Sequence, residues 1–152
     1  MIMLKNALRN APFCYISPMH VFEWLLIISC ICAGKGMIFK MKNLGYYNGK
    51  FGPLEEMMVP MNDRVCYFGD GVYDATYSRN GVIFALDEHI DRFFNSAGLL
   101  RIELPCTKDE MKDILNDMVS KVDSGNNFVY WQATRGTGIR NHAFPKEGKA
   151  NI

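Results

Sequence analysis

Val72-Tyr73-Asp74-Ala75-Thr76-Tyr77-Ser78-Arg79-Asn80-Gly81-Val82-Ile83-Phe84-Ala85 is the stretch that decides the fold class. Val72 to Ser78 is rich in β-branched and aromatic residues, which suit a pleated, half-buried surface. Arg79 and Asn80-Gly81 separate it from a second such run, Val82 to Ala85. Asn and Gly both tolerate positive φ, so the stretch predicts a β-hairpin. The same device stands upstream, where Leu44-Gly45-Tyr46-Tyr47 and Phe51 flank Asn48-Gly49 and predict another.

Further along, the apolar spacing becomes helical. Ile90, Phe93, Phe94, Ala97 and Leu100 recur on one helical face behind Asp87, a candidate cap. Thr107-x-x-Glu110 is a capping box opening a second helix, whose expected buried face is Met111, Ile114, Leu115, Met118 and Val122 and whose expected stop is Gly125. Phe128 to Ala133 reads as a returning strand that breaks at Thr134-Arg135-Gly136. Hairpins, two helices and a returning strand predict an α+β fold, an antiparallel sheet with two helices. No repeat or low-complexity stretch competes.

The chain has 152 residues, 49% hydrophobic and 22% charged, enough for one buried core. A net charge of +1 gives no electrostatic footprint for nucleic acid. Five scattered cysteines, Cys14, Cys30, Cys32, Cys66 and Cys106, suggest no disulfide framework, and no histidine stands at zinc-site spacing from them, so a reducing compartment and no metal are expected. The composition shifts near Met41. Residues 1–40 have a basic start (Lys5, Arg9) and an apolar run from Val21 to Ala33, broken by Glu23 and shorter than the roughly 20 residues of a membrane span. They read as a leader or upstream extension, with a secretory signal or membrane attachment as the alternatives, and 41–152 as the domain.

Arg140-Asn141-His142, followed by Ala143-Phe144-Pro145, carries the chemistry. Arg and His one residue apart on a loop make an anion clamp, and the planar guanidinium fork suits both oxygens of a carboxylate. Arg92 falls in the early turns of the first helix, where free backbone N–H groups and the helix dipole favour an anion. Tyr73 offers a phenol that can donate to an oxyanion. Taken singly, Arg92 reads as a solvated helix arginine, the Arg-x-His pair as polar surface and Tyr73 as packing. Gly69-Asp70-Gly71 lacks the third glycine of a dinucleotide loop; the glycines permit a tight bend that aims Tyr73, with Asp70 bonding local backbone. His89 reads as a helix-start residue, and Lys146 and Lys149 as surface charge.

Together, Phe68-Gly69-Asp70-Gly71-Val72-Tyr73, His89-Ile90-Asp91-Arg92 and the stretch from Arg135 to Pro145 resemble the fold-type IV (class IV) pyridoxal-phosphate-dependent aminotransferases, most of all the D-amino acid aminotransferases. The resemblance covers Met41 to Ile152, with the motifs in the family's order. It implies the amino-terminal domain of that fold, pyridoxal 5'-phosphate as cofactor, and transfer of an amino group between a D-amino acid such as D-alanine and a 2-oxo acid. It assigns the cofactor phosphate to Arg92 and the substrate carboxylate to Tyr73, Arg140 and His142. It also implies a cytoplasmic homodimer, because the family's clamp loop reaches the neighbouring subunit. The Schiff-base lysine falls beyond Ile152 and is matched by neither Lys146 nor Lys149, so no catalytic residue is assigned. A branched-chain amino acid aminotransferase and a catalytically inactive fragment are the alternatives.

Overall fold

A computed structural model describes residues 1–6, 41–145 and 148–152; residues 7–40, with His20, Cys14, Cys30 and Cys32, and the pair Lys146 and Glu147 lie outside them. The described strands are β1 (Ile2–Asn6), β2 (Leu44–Tyr47), β3 (Lys50–Gly52), β4 (Gly71–Arg79), β5 (Val82–Ile83) and β6 (Asn127–Thr134). They form one sheet in the order β3-β2-β1-β6-β4-β5, with every neighbouring pair antiparallel. The helices are α1 (Arg64–Phe68), α2 (Leu86–Leu99) and α3 (Lys108–Lys121). The fold is α+β, as the hairpin and helix signals predict.

Both hairpins close as expected. Asn48 and Gly49 have φ of 47° and 89°, and Asn80 and Gly81 have 52° and 80°. Positive φ at both central positions is the geometry whose twist matches the flanking strands.

Ile2–Asn6, placed by sequence alone in a leader outside the domain, form a strand inside the sheet. β1 pairs with β2 on one side and β6 on the other, and Ile2 and Leu4 are fully buried. A boundary at Met41 therefore does not describe this sheet. Composition hid the strand because five residues carry too little periodic signal beside the long apolar run that follows. Among the described residues no helix is long and apolar enough to cross a membrane.

Period-two alternation gives the sheet one buried face. Ile2 and Leu4 of β1, Leu44 of β2, Val72 of β4 and Val129, Trp131 and Ala133 of β6 point toward the helices. Ile90, Phe93 and Ala97 of α2 and Met111, Leu115, Met118 and Val119 of α3 complete this core, with the Phe93 ring 6.3 Å from that of Trp131. Each buried Val, Leu, Ile, Met or Phe side chain among these contributes about 1.5–3 kcal/mol.

The capping box of α3 is present: the Glu110 amide donates to Thr107 Oγ1 at 3.3 Å, and the Thr107 amide donates to Glu110 Oε2 at 2.7 Å. Gly125 is not the stop; α3 ends at Lys121, and Val122 turns extended and bridges Met41. Asp87 is not a cap either. It lies inside the first turn of α2, whose N-cap is Ala85 in the left-handed region (φ 47°) with no side-chain cap.

Helix α1 has no periodic signal because it is barely more than one turn long. Asp63 caps it by accepting from the Val65 amide at 2.9 Å, and Gly69, at φ 64°, ends it. The carboxylate of Asp63 also accepts from Thr134 Oγ1 and Asn151 Nδ2, each at 2.8 Å, so this fully buried group is paired.

Asp70 does not bond local backbone through its side chain. Its carboxylate accepts from Arg64 Nε at 2.7 Å and from Arg135 Nε at 2.9 Å. Burial alone would raise its pKa, but the hydrogen bonds and charges of Arg135 and Arg64 outweigh this and hold it below the usual carboxylate range. Gly71 is required beside it, since a Cβ there would lie 2.6 Å from the Ala133 carbonyl oxygen.

Two outcomes follow for urea unfolding. Thr107→Ala removes the α3 cap and should cost about 1 kcal/mol. Asp70→Asn leaves buried Arg64 without its counter-charge and should cost about 3–5 kcal/mol at pH 7. Because the folded pKa of Asp70 is depressed, its stabilisation is present above the unfolded value near 3.9 and is lost as pH falls through the folded one. The acid limb of stability against pH should accordingly be shallower in the variant.

Candidate functional site

Strand β4 hands successive residues to opposite faces of the sheet. Val72, Asp74, Thr76 and Ser78 are buried, whereas Tyr73 and Tyr77 are exposed. Asp74 thus faces the helix layer and meets α2. Arg92 Nε donates to Asp74 Oδ2 at 2.8 Å and Arg92 Nη2 to Oδ1 at 2.6 Å, a bidentate pair that fixes the guanidinium plane. His89 Nδ1 lies 2.9 Å from the same Oδ1. Burial would raise the Asp74 pKa, but the Arg92 and His89 hydrogen bonds, the Ala75 amide and the Arg92 charge together lower it.

Arg92 is not at a free helix end. The helix starts at Leu86, so Arg92 lies past the first turn, which carries Asp87 and Glu88. Its orientation comes from Asp74 rather than from exposed backbone N–H groups. The side chain is 64% exposed, and among the described residues Nη1 makes no hydrogen bond. One face of the guanidinium fork is therefore committed and the other is open to an anion.

On the other face of the sheet, Tyr73 stacks on Tyr130 with centroids 5.7 Å apart and planes at 21°, and Tyr77 meets Phe128 at 5.3 Å. These rings form an open aromatic surface with Tyr73 69% exposed, so its phenol is accessible.

The Arg140–His142 loop is seated on Phe68. The Arg140 guanidinium carbon lies 5.4 Å from the Phe68 ring centroid, and the His142 ring is 5.3 Å away. Arg64 lies 4.8 Å from the same ring and its Nη1 donates to the Asn141 carbonyl at 2.9 Å. The loop is pinned by a buried arginine on one side while Arg140 and His142 stay exposed. Arg135 fixes the other flank: Nη2 and Nη1 donate to the Leu100 and Arg101 carbonyls at 2.8 and 3.1 Å, and its guanidinium carbon lies 4.4 Å from the Phe144 ring centroid.

The structure thus brings Arg140 and His142 together. Among the described residues no hydrogen bond or ring contact joins their loop to Tyr73 or Arg92. A cleft of about 430 Å³, lined by Arg101, Glu103, Arg135 and Pro145 among others, contains none of the four. Sequence reasoning missed Arg64 and Phe68 as the seat of the loop and Asp74 and His89 as holders of Arg92. Asp74 follows Tyr73 directly, and a carboxylate on the buried face of a strand is a signal that a cation must meet it.

No metal-holding group of histidine, cysteine and carboxylate side chains occurs among the described residues. Residues 71–151 match the family described as Amino-transferase class IV. The D-alanine aminotransferase of Staphylococcus haemolyticus is 36% identical over 100 residues, 66% of this chain and 36% of that protein. That of Listeria monocytogenes serotype 1/2a (strain 10403S) is 37% identical over 94 residues, 61% of this chain and 32% of that protein. Among solved structures, the branched-chain amino acid aminotransferase of T.th., complexed with N-(5'-phosphopyridoxyl)-L-glutamate, matches with a TM-score of 0.65 and 25% identity over 71% of this chain and 38% of that one. That of Escherichia coli matches in fold, with a TM-score of 0.65 and 18% identity over 70% of this chain and 37% of that one. The aligned stretch is about a third of the curated relatives' length. With more than half of its residues matched to the family, the chain belongs to the class IV aminotransferases.

Proposed function

We propose that this chain supplies the anion-anchoring part of a pyridoxal 5'-phosphate-dependent aminotransferase that moves an amino group between a D-amino acid, such as D-alanine, and a 2-oxo acid. The observation that carries this reading is the Arg140–His142 pair, exposed yet seated on Phe68 and pinned through Asn141 by Arg64. Such a clamp meets a substrate α-carboxylate with an oriented fork and a second donor. The D-alanine aminotransferases named above, at 36% and 37% identity, support the D-amino acid as substrate.

Arg92 suits the cofactor phosphate. Its guanidinium is fixed by Asp74, its Nη1 is open, and a phosphate brought there meets a cation whose orientation needs no further ordering. The phosphopyridoxyl group in the T.th. complex supports this cofactor for the family. When bound, it supplies the electron sink for amino-group transfer. The chain's own residues hold and orient: Arg92 the phosphate, Arg140 and His142 the carboxylate, and Tyr73 a hydrogen bond from its phenol to that carboxylate.

Homodimer formation belongs to the same proposal. Among the described residues no hydrogen bond or ring contact joins the clamp loop to Tyr73, and a trap using both could take the loop from a neighbouring subunit, as the family resemblance implies. A cytoplasmic location is part of the same proposal and rests on the family resemblance alone.

Branched-chain amino acid transamination is the second reading, favoured by the T.th. structure at 25% identity. Assaying these residues within a protein completed by the lysine-bearing second domain, with D-alanine or L-leucine as donor to 2-oxoglutarate, separates them: turnover with D-alanine alone is expected, and turnover with L-leucine alone would replace the first reading by the second. The two arginines should also separate. Arg140→Ala should raise KM for the amino donor by about 10- to 100-fold while leaving cofactor affinity unchanged. Arg92→Ala should weaken cofactor affinity, read from the bound cofactor's absorbance, with little change in donor KM at saturating cofactor.

A further inference from the structure

One oxygen of Asp74 gathers three nitrogens. Its Oδ1 accepts from Arg92 Nη2 at 2.6 Å and from the Ala75 amide at 2.7 Å, and lies 2.9 Å from His89 Nδ1. The arginine, histidine and amide contacts hold Asp74 below the usual carboxylate range, so Oδ1 has no proton to offer. An imidazole nitrogen at that distance must bring its own hydrogen. Nδ1 is therefore the protonated nitrogen of the neutral ring, and the lone pair sits on Nε2. Among the described residues Nε2 makes no hydrogen bond, and the side chain is 17% exposed, so water reaches the ring. Asp74 thus fixes the tautomer and leaves one basic nitrogen unused.

Charge is balanced around that ring only while no ligand is present. Among the described residues, Asp74 of β4 and Arg92 of α2 are the charged groups within hydrogen-bonding distance of the imidazole, with Arg92 Nη2 3.1 Å from Nδ1. Strand β6 faces it with the uncharged Trp131 ring, edge-on at 6.2 Å between centroids. The lysines of α3 that reach α2, Lys108 and Lys112, are paired with Asp91 and Asp87. One aspartate and one arginine sum to zero. A phosphate monoester carries about −1.5 to −2 at pH 7, so on the open edge of Arg92 it meets a pair with no net charge to offer. One positive charge is missing, and Nε2 can take it from water as a proton.

We infer that His89 couples anion binding to proton uptake: when a dianionic phosphate settles on Arg92, Nε2 of His89 binds a proton from solvent and the Asp74–His89–Arg92 cluster goes from zero to +1. The inference rests on Arg92 as the phosphate holder. Coupling is reciprocal, so proton and anion each bind more tightly in the presence of the other. Anion affinity is then greatest below the midpoint at which the ring titrates and falls as pH rises through it, while Asp74 stays ionised throughout. The Arg140–His142 pair is a second place where an anion can meet a histidine, so the two sites are followed separately.

The probe is inorganic sulfate, a dianion across the range of about pH 5 to 8 in which histidine changes charge, so that any pH dependence belongs to the protein. The ring Cε1–H resonances of His89 and His142 are followed against pH in the full chain, with sulfate and with chloride at equal ionic strength. Sulfate should move the His89 midpoint upward by about half a pH unit or more, which by linkage is about threefold tighter binding to the protonated ring. Arg92→Ala should abolish that move, and Arg140→Ala should leave it. In His89→Asn, whose amide can still donate to Asp74 but cannot titrate, sulfate affinity read at the backbone amides around Arg92 should lose its pH dependence. Should that variant not fold, the resonances of the unaltered chain decide alone. A His89 midpoint that stays in place while sulfate perturbs Arg92 overturns the inference and leaves the phosphate reading standing. A midpoint that still moves in Arg92→Ala overturns it too. Sulfate that perturbs neither residue removes the inference and the phosphate reading together.

Discussion

The carboxylate of Asp70 is the constraint on which the working end of this domain depends. It sits in the turn between α1 and β4, and its two arginine partners come from places far apart in sequence: Arg64 from α1 and Arg135 from the segment leaving β6. A largely buried carboxylate is tolerated only with such partners, and a buried arginine likewise. One charge therefore ties together the turn that launches Tyr73, the seat of the clamp loop and the loop's root. The pairing is unequal, two arginines to one aspartate, and Arg140 adds a third cation on the Phe68 ring that Arg64 also covers. The surplus positive charge is held by fixed partners, so that under the proposed function an anion brought to the loop would meet cations already in place, with little lost in ordering them.

Alternation along β4 sends two adjacent residues to opposite faces of the sheet. Asp74 turns toward the helices and fixes Arg92; Tyr73 turns to the open face. Under the proposed function a cofactor phosphate and a substrate carboxylate would each be met by one of two arginines that are held in different ways. Arg92 is oriented by a carboxylate, whereas Arg140 is oriented by an aromatic ring and by a backbone carbonyl pinned one residue on.

What could be seen in the sequence follows from the range of the forces concerned. Asn48-Gly49 and Asn80-Gly81 announce their hairpins because positive φ is a local backbone demand. Thr107 and Glu110 announce α3 because both halves of the box lie within one turn. Asp87 misled for the same reason: a cap-like residue near an amphipathic run is a local signal, yet the chain enters α2 through the left-handed Ala85 after β5. Asp70 looked like a turn residue bonding its own backbone because its partners lie six and sixty-five residues away. Arg140 and His142 were legible as a pair from adjacency, but their seat on Phe68, reached across more than seventy residues, was not. β1 was the least legible, for its burial is decided wholly by distant strands.

That last strand has a consequence for the architecture. In the order β3-β2-β1-β6-β4-β5, the β2–β3 hairpin reaches the remainder of the sheet through the lane that β1 occupies. Without an occupant, the ties across that lane come from Asn151 and Ile152, through Asn48, Asp63 and Thr134. A two-stranded hairpin is at best marginally stable alone, and the edge of β6 would expose unpaired backbone along the buried residues Val129 and Trp131. The lane must therefore be filled for the sheet to be continuous. β1 fills it with extended backbone paired on both sides and with Ile2 and Leu4 on the core face, so that five residues carry the continuity of the whole sheet.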